Sequence, residues 1–98
     1  MDYRLEVHPE AAFDGQAAYR WYKERNPQAA QAFNGELDLA EKRILASPLT
    51  WPPHLHGTRR YLMRGFPYGV VYQVMDDRIF IIAIAHTSRR PGYWQELI

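Results

Sequence analysis

The chain has 98 residues, of which 47% are hydrophobic and 23% are charged, and it contains no cysteine. This length suits one small domain, and the composition is that of a folded chain rather than a disordered one. The lack of cysteine excludes a disulfide framework and a thiolate metal site. Its apolar runs are far shorter than the roughly 18 residues of a membrane span, and the N-terminus does not resemble a signal peptide. We therefore expect a cytoplasmic protein without a membrane segment.

The net charge of +1 conceals a difference between the two halves of the chain. Residues 1–48 carry six basic and eight acidic side chains, whereas residues 49–98 carry six arginines and three acidic side chains, which gives charges of −2 and +3. Arginine forms planar forks that suit phosphate or carboxylate groups. The second half therefore predicts a surface for nucleic acid or an acidic protein segment. The alternative is an ordinary solvated sheet face.

The first half predicts a strand and then a helix. Tyr3 to Val7 alternates as a half-buried strand does, and Pro9 suits the first position of a helix. The spacing of the apolar residues in this helix predicts that Trp21 packs in the core rather than stacking on a ligand. The residues of this stripe are Phe13, Ala17, Ala18, Trp21 and Tyr22.

A second helix follows almost immediately. Asn26 is a good N-cap and Pro27 fits the next position. An apolar stripe then recurs at steps of four, three and four, and Ser47-Pro48 ends the helix. Two helices joined by so short a link fold back as an antiparallel hairpin. The stripe consists of Phe33, Leu37, Ala40 and Ile44.

Residues 48–58 form a loop by their proline and glycine content. His54 and His56 stand two apart in this loop, but no further histidine or cysteine lies near them in sequence. We therefore expect no metal site and no cofactor. Trp51 is expected to cover the end of the core.

The stretch from Arg59 to Trp94 predicts three strands and a short tail rich in arginine and aromatic residues. Tyr68 to Met75 alternates with a period of two, and Asp76-Asp77 predicts a turn. The nearly continuous apolar run from Ile79 to Ala85 predicts a central strand that is covered on both faces. The predicted fold is a single α+β domain over residues 1–98, in the order β-α-α-β-β-β, with a helical hairpin on one face of a mostly antiparallel sheet.

The end of the predicted central strand is the candidate site. Histidine titrates in a range that suits proton transfer, so His86 is a candidate catalytic residue. Tyr93 is a second candidate, for proton transfer or for stacking a base, and Arg89 and Arg90 are candidates for binding phosphate. The alternative is structural: His86 ends a strand and Tyr93-Trp94 packs over the open end of the core, which we favour for Trp94. His86 shares strand parity with Phe80, Ile82 and Ile84, so the pattern permits either the core or the rim.

The ordered set of motifs resembles the RelE/ParE superfamily of bacterial toxins from type II toxin–antitoxin modules, which includes plasmid-stabilisation proteins. The resemblance implies a growth inhibitor that forms a heteromeric complex with a cognate antitoxin, whose extended or helical tail wraps the toxin. An acidic tail would suit the arginines. The matching segments are His8-Pro9-Glu10, Trp21-Tyr22, Pro27, Phe33 with Leu37, Arg60 to Arg64, Phe66–Val74 and Ala85–Trp94.

The superfamily divides by target. RelE-like members cut messenger RNA in the ribosome, whereas ParE-like members inhibit DNA gyrase by binding. Nuclease members commonly carry an arginine after the tyrosine that matches Tyr68, where this chain has Gly69, while Arg60 and Arg64 match basic positions. The resemblance therefore favours gyrase as the target, with Arg60, Arg64, Arg89 and Arg90 as phosphate- or target-binding residues. The alternatives are a metal-independent endoribonuclease that uses His86, Arg64 and Tyr93, and a non-toxic binding module.

Overall fold

Six main elements follow one another in the predicted order. A computed structural model describes residues 2–98. The elements are β1 (Arg4–Val7), α1 (Pro9–Arg25), α2 (Pro27–Ala46), β2 (Arg59–Leu62), β3 (Tyr68–Met75) and β4 (Arg78–His86), with one-turn 3-10 helices at Leu55–Gly57 and Gln95–Leu97. The predicted α+β class is confirmed, since the two helices pack against one four-stranded sheet.

Side-chain caps define the start of both helices. His8 Nδ1 accepts a hydrogen bond from the backbone N–H of Glu10 at 3.0 Å. Asn26 Oδ1 accepts from the N–H groups of Gln28 at 3.0 Å and Ala29 at 3.3 Å. Because Asn26 alone separates the helices, they turn back on each other as the predicted hairpin. Neither helix in residues 2–98 combines the length and apolar character needed to cross a membrane.

The strands lie in the order β1-β4-β3-β2. β4 pairs in parallel with β1 and antiparallel with β3, and β3 pairs antiparallel with β2. β4 thus has a neighbour on each side, which confirms the central position that its apolar run predicts. The helical hairpin lies between β1 and the other strands in sequence, and so long a connection allows the parallel pairing of β1 with β4.

The main core lies between the helices and one face of the sheet, here called the helix-side face. Phe33 and Ile44 of α2 are fully buried there, and so is Tyr72 of β3, whose hydroxyl donates to Pro48 O at 2.6 Å. Trp51 packs against this core with its ring edge-on to Tyr61, at 4.7 Å between centroids, as predicted. The other buried members are Ala11, Ala18, Ala40, Met63, Val70, Ile79, Ile81 and Ile84.

α1 contacts the core through its small side chains and Tyr22, whereas Phe13 and Trp21 stay outside it. Phe13 is 62% exposed and Trp21 is 51% exposed, so the prediction that Trp21 packs in the core is wrong. The reason is close approach: a Cβ atom on Gly15 would lie 3.5 Å from Leu37, which leaves no room for a large side chain between the helices. Trp21 instead carries the Arg25 guanidinium 3.9 Å from its ring centroid. The buried residues of α1 are Ala11, Gly15 and Ala18.

A second, smaller cluster covers the opposite face of the sheet, here called the outer face. It contains Trp94, which is only 2% exposed because the tail after β4 folds back onto the sheet. The rings of His54 and His56 pack against Trp94, with centroids 5.9 and 5.8 Å away. Trp94 therefore packs structurally, as predicted, although it covers the outer face instead of the open end of the main core. The other buried members are Val71, Ile82 and Ala83.

A β-bulge in β4 determines where His86 faces. Val71 pairs with Ala83 and Tyr72 pairs with Ile81, which leaves Ile82 without a partner. The extra residue reverses the alternation of side chains along the strand. The parity that the sequence assigns to His86 is therefore interrupted: Ile79, Ile81 and Ile84 lie on the helix-side face with His86, whereas Ile82 lies on the outer face.

Candidate functional site

Five of the six predicted site residues line one crevice on the outer face. They are joined there by His54 and Trp94, so the tail and the loop after α2 meet at the same place. The crevice has a volume of about 30 Å³, which admits water but not a nucleotide. Its predicted residues are Arg60, His86, Arg89, Arg90 and Tyr93. The sixth residue, Arg64, lines a different pocket.

His86 lies at the rim, at the carboxyl end of β4. Its ring stands edge-on to the ring of Tyr68, with centroids 5.0 Å apart. Tyr68 in turn packs against the helix-side core. Its Nδ1 lies 3.0 Å from the backbone N–H of Ser88, which donates to it, and 2.7 Å from Ser88 Oγ. The turn after β4 thus fixes the orientation of the imidazole. His86 faces the rim of the helix-side face, the alternative that the sequence left open.

Tyr93 is held between a cation and a carboxylate. The Arg89 guanidinium lies 3.6 Å from the centroid of the Tyr93 ring. The Tyr93 hydroxyl is buried and finds no partner of good hydrogen-bond geometry among residues 2–98, although Asp14 faces it. Burial, followed by the charge of Asp14, raises the pKa of Tyr93. The raised pKa keeps the Tyr93 phenol neutral at physiological pH and makes it a weaker acid than an exposed tyrosine.

Asp14 connects α1 to the same end of β4, and the sequence pattern did not single it out. β1 stops pairing at Val7, opposite Ile81, so the N–H of Ile84 needs another acceptor. Asp14 Oδ2 accepts from that N–H at 3.2 Å. Burial raises the pKa of Asp14, although this hydrogen bond and the charge of Arg89 lower it.

Arg60 lies across the outer face next to Gly69, the position at which nuclease members commonly carry an arginine. A Cβ atom on Gly69 would lie 2.8 Å from Arg60 Cδ and 3.0 Å from Arg60 Cγ. The stem of Arg60 therefore occupies the space that a side chain at position 69 would need.

Arg64 lies in the loop after β2 and lines a pocket of about 300 Å³ at the β2 edge of the sheet. We call this the basic pocket. Arg43 of α2 joins it there, with Nη1 donating to the hydroxyl of Tyr61 at 2.8 Å. Arg43 stands in the acidic half of the chain, so its place in the sequence does not indicate that it joins this pocket. The lining comprises Arg43, Trp51, Pro52, Pro53, His54, Arg60, Tyr61, Leu62 and Arg64.

An apolar groove of about 510 Å³ runs along the exposed side of α1. We call this the α1 groove. The exposed rings of Phe13 and Trp21 lie on one side of it, and His86 and Arg89 on the other. The remaining lining is Asp14, Ala17, Ala18, Tyr22, Pro67, Tyr68 and Ile84.

His54 and His56 serve the outer cluster through their contacts with Trp94. Desolvation lowers the pKa of His54, and the positive charge of Arg60 and the neighbouring His56 lower it further. Within residues 2–98 no group of three or more histidine, cysteine, aspartate or glutamate side chains is arranged to hold a metal ion.

Residues 5–91 match the family described as the ParE toxin of the type II toxin–antitoxin system parDE. The chain belongs to the ParE toxin family. Toxin ParE2 from two strains of Mycobacterium tuberculosis is similar to it, with 32% identity over 93 residues that cover 94% of this chain and 89% of each relative. The predicted superfamily is therefore confirmed, and the protein is the toxin component of a type II toxin–antitoxin system.

The fold of this ParE toxin is also found in a solved structure, described as the chromosomal ParDE TA system from P. aeruginosa. The two chains superimpose with a TM-score of 0.78, covering 88% of this chain and 97% of that chain, at 20% sequence identity. This match supports the β-α-α-β-β-β order and the packing of both helices on the sheet.

Proposed function

We propose that this ParE toxin arrests growth by binding DNA gyrase in the cytoplasm, and that a cognate antitoxin neutralises it. The family match over residues 5–91 is the observation that carries the proposal. The relatives that it matches carry the ParE name rather than that of a nuclease.

The geometry of the predicted site gives this proposal a second argument. A metal-free ribonuclease needs a base, an acid and cations around one phosphate. Here the crevice between Arg60, His86 and Tyr93 has only about 30 Å³, and Arg64 lies in another pocket. At Gly69 the stem of Arg60 fills the place of the nuclease arginine. Under this proposal Arg60, Arg89 and Arg90 form a contact surface for the target.

We assign the α1 groove to the antitoxin. Phe13 and Trp21 expose large rings on one face of α1, and large apolar surfaces of this kind mark protein interfaces. Arg89 lines the groove, and Arg25 packs on the exposed Trp21 ring with a single exposed ion pair to Glu24 at 3.8 Å, so both cations suit acidic residues of the antitoxin tail. A helix or extended segment with apolar side chains toward Phe13 and Trp21 would fill the groove.

Supercoiling of relaxed plasmid by purified gyrase tests the target. We expect the toxin to inhibit supercoiling in proportion to its concentration, and addition of the antitoxin to restore activity. Brief induction of the toxin without its antitoxin, followed by sequencing of transcript ends, examines the alternative target. Cuts inside translated codons that disappear when translation is blocked, with gyrase unaffected, would replace gyrase with ribosomal messenger RNA. No growth effect with soluble, folded protein would favour the non-toxic binding module.

His86→Ala separates the two targets in cells. A nuclease that uses His86 loses its toxicity in this variant but still binds its antitoxin. A gyrase inhibitor retains its toxicity unless the imidazole is part of the contact. His8→Ala is the matched control, because His8 also binds a backbone N–H through Nδ1 but lies at the start of α1.

Antitoxin binding is tested with Phe13→Asp and Trp21→Asp, at positions where the exposed ring contributes little to the fold. We expect each change to weaken the toxin–antitoxin complex at least about tenfold, measured by calorimetry, because a charge enters an apolar interface. Leu62→Asp is the control, since Leu62 is 54% exposed and lies at the β2 edge instead of the α1 groove. If all three changes weaken the toxin–antitoxin complex equally, the α1 groove is not the antitoxin-binding site.

A further inference from the structure

The basic pocket concentrates positive charge without any acidic residue in its lining. Arg43, Arg60 and Arg64 come from α2, β2 and the following loop, and meet at one cavity of about 300 Å³. The ion pairs of residues 2–98 involve Arg4, Arg25 and Arg78, so none of the three pocket arginines is neutralised by a carboxylate. Three arginines without a carboxylate partner line this one cavity, and such a lining suits a phosphate group, which offers several acceptor oxygens to planar forks.

The pocket is held in shape by hydrogen bonds before any ligand arrives. Tyr61, which is 3% exposed, accepts from Arg43 Nη1 at 2.8 Å and orients that guanidinium. Arg59 Nη1 donates to the carbonyl oxygens of Trp51 at 2.7 Å and Leu49 at 3.2 Å, which ties down the loop. A site with fixed donors pays less conformational entropy when it binds an anion.

Trp51 gives the pocket an aromatic wall. Its indole is half-buried, lines the cavity and donates from Nε1 to Arg43 O at 3.5 Å. Pro52 and Pro53 follow it and extend the apolar side of the pocket. A planar ring beside three guanidinium groups suits a ligand that combines a phosphate with a base, because every base can stack on an aromatic side chain.

We propose that the basic pocket binds a nucleoside phosphate, either free or as part of a nucleic-acid strand, with Arg43, Arg60 and Arg64 on the phosphate and Trp51 against the base. His54 also lines the pocket; burial lowers its pKa, and the positive charge of Arg60 lowers it further. The inference depends on the pocket alone and stands whether or not gyrase is the target.

Titration of the whole toxin with ATP, in the absence of divalent cations, tests the proposal. The indole N–H signals of Trp21, Trp51 and Trp94 give three reporters in an NMR spectrum of the 15N-labelled protein, assigned with Trp51→Phe. We expect ATP to shift the Trp51 signal and to leave the other two unchanged, because Trp21 lies on α1 and Trp94 on the outer face. Shifts at Trp21 or Trp94 without a shift at Trp51 would place the binding elsewhere and overturn the proposal.

The variant Arg43→Gln/Arg64→Gln removes two of the three cations and should weaken ATP binding at least about tenfold, since a hydrogen bond to a charged group carries that much affinity. Arg20→Gln/Lys23→Gln is the matched control, because it removes the same charge from the exposed side of α1, away from the basic pocket. Equal loss in the two double variants would mean a general charge effect and would overturn the site. If loss of the hydrogen bond from Arg43 to Tyr61 perturbs folding of the double variant, Arg64→Gln alone repeats the test, because it leaves that hydrogen bond in place.

Two further probes define the ligand class. Inorganic tripolyphosphate should bind at least about fivefold more weakly than ATP, because it lacks a ring to stack on Trp51. Equal binding by the two compounds would reduce the pocket to a bare anion site and overturn the nucleoside assignment. A hexadeoxynucleotide distinguishes the two sources: tighter binding than ATP, with a steeper salt dependence, assigns the pocket to a strand, and weaker binding assigns it to a free nucleotide.

Discussion

The two faces of the sheet differ in how thickly they are covered. Twelve buried residues pack on the helix-side face, whereas four pack on the outer face beneath the tail. The helix-side face therefore supplies most of the buried apolar area on which stability depends. The outer face leaves room for arginines to reach solvent, and at its edge beside the end of β4 five of the six predicted site residues line one crevice. In this protein the residues that hold the fold and the residues available for binding are largely separate sets.

The largest expected effect comes from Phe33→Ala on the helix-side face. Phe33 is fully buried, so its loss should lower the free energy of unfolding by about 3–5 kcal/mol, measured by urea denaturation. Phe13→Ala makes the same chemical change at a ring that is 62% exposed, and should cost no more than about 0.5 kcal/mol. Similar losses in the two variants would contradict the arrangement of α1 described above.

Tyr72→Phe tests a buried polar contact within the same core. The change leaves Pro48 O without the hydroxyl that now donates to it at 2.6 Å, and should cost about 1–3 kcal/mol. Burial raises the pKa of Tyr72 to about 12. Because the folded state then holds this proton more tightly than the unfolded state, wild-type stability should fall as the pH rises above 10 toward 12. The difference between wild type and Tyr72→Phe should shrink over that interval in a urea series, and a constant difference would argue against the assignment.

Asp14 tests the place where the two faces meet at the end of β4. Burial raises the pKa of Asp14 above its usual 3.8, so ionisation of this carboxyl lowers the stability of the folded state. This loss of stability disappears at low pH, where the carboxyl is protonated. Asp14→Asn still accepts from the N–H of Ile84 but carries no charge. Its stability relative to wild type should therefore increase as the pH rises from 3 to 7, as followed by thermal unfolding.

The control for this experiment is Asp14→Ala. It leaves the N–H of Ile84 without its acceptor and should lose about 1 kcal/mol relative to Asp14→Asn at every pH. If the two variants are equally stable, the hydrogen bond from Ile84 contributes nothing.

The smallest expected effect on stability is that of Gly69→Ala on the outer face. The new methyl group would lie 2.8 Å from Arg60 Cδ, and this flexible side chain can move aside, so the cost should stay below about 1 kcal/mol. Displacement of Arg60 should nevertheless weaken ATP binding at the basic pocket, as measured by the Trp51 signal. Gly35→Ala, in α2, meets no atom within 4 Å and should stabilise the helix without changing that binding. Unchanged ATP affinity in Gly69→Ala would exclude Arg60 from the pocket.

Local sequence signals predicted most of the elements, and five of the six candidate site residues lie together in the structure. Pro9 marked the start of the first helix and Asn26 that of the second, where its side chain accepts from N–H groups within three residues. The alternation from Tyr68 to Met75 predicted a strand, and the structure places Val70 and Tyr72 of that strand on the helix-side face. The position of the site at the end of β4 followed from the same strand pattern.

Non-local contacts account for what the sequence pattern missed. Apolar spacing alone does not state which side of α1 is buried, and the helix hairpin closes on the small side because Gly15 lies against Leu37. The bulge at Ile82 depends on how β4 pairs with β3, and it changes the face of every residue after it. Arg43 joins Arg64 only after the hairpin packs on the sheet.

The sequence by itself determined the order of the elements, the helix caps, the central strand and the basic character of the second half, because these depend on residue type and short-range spacing. The tertiary structure alone decided the parallel pairing of β1 with β4, the exposure of Phe13 and Trp21, and the meeting of three arginines beside Trp51. These features join residues that are far apart in the chain. They are set by packing and steric exclusion between elements, which no local pattern records.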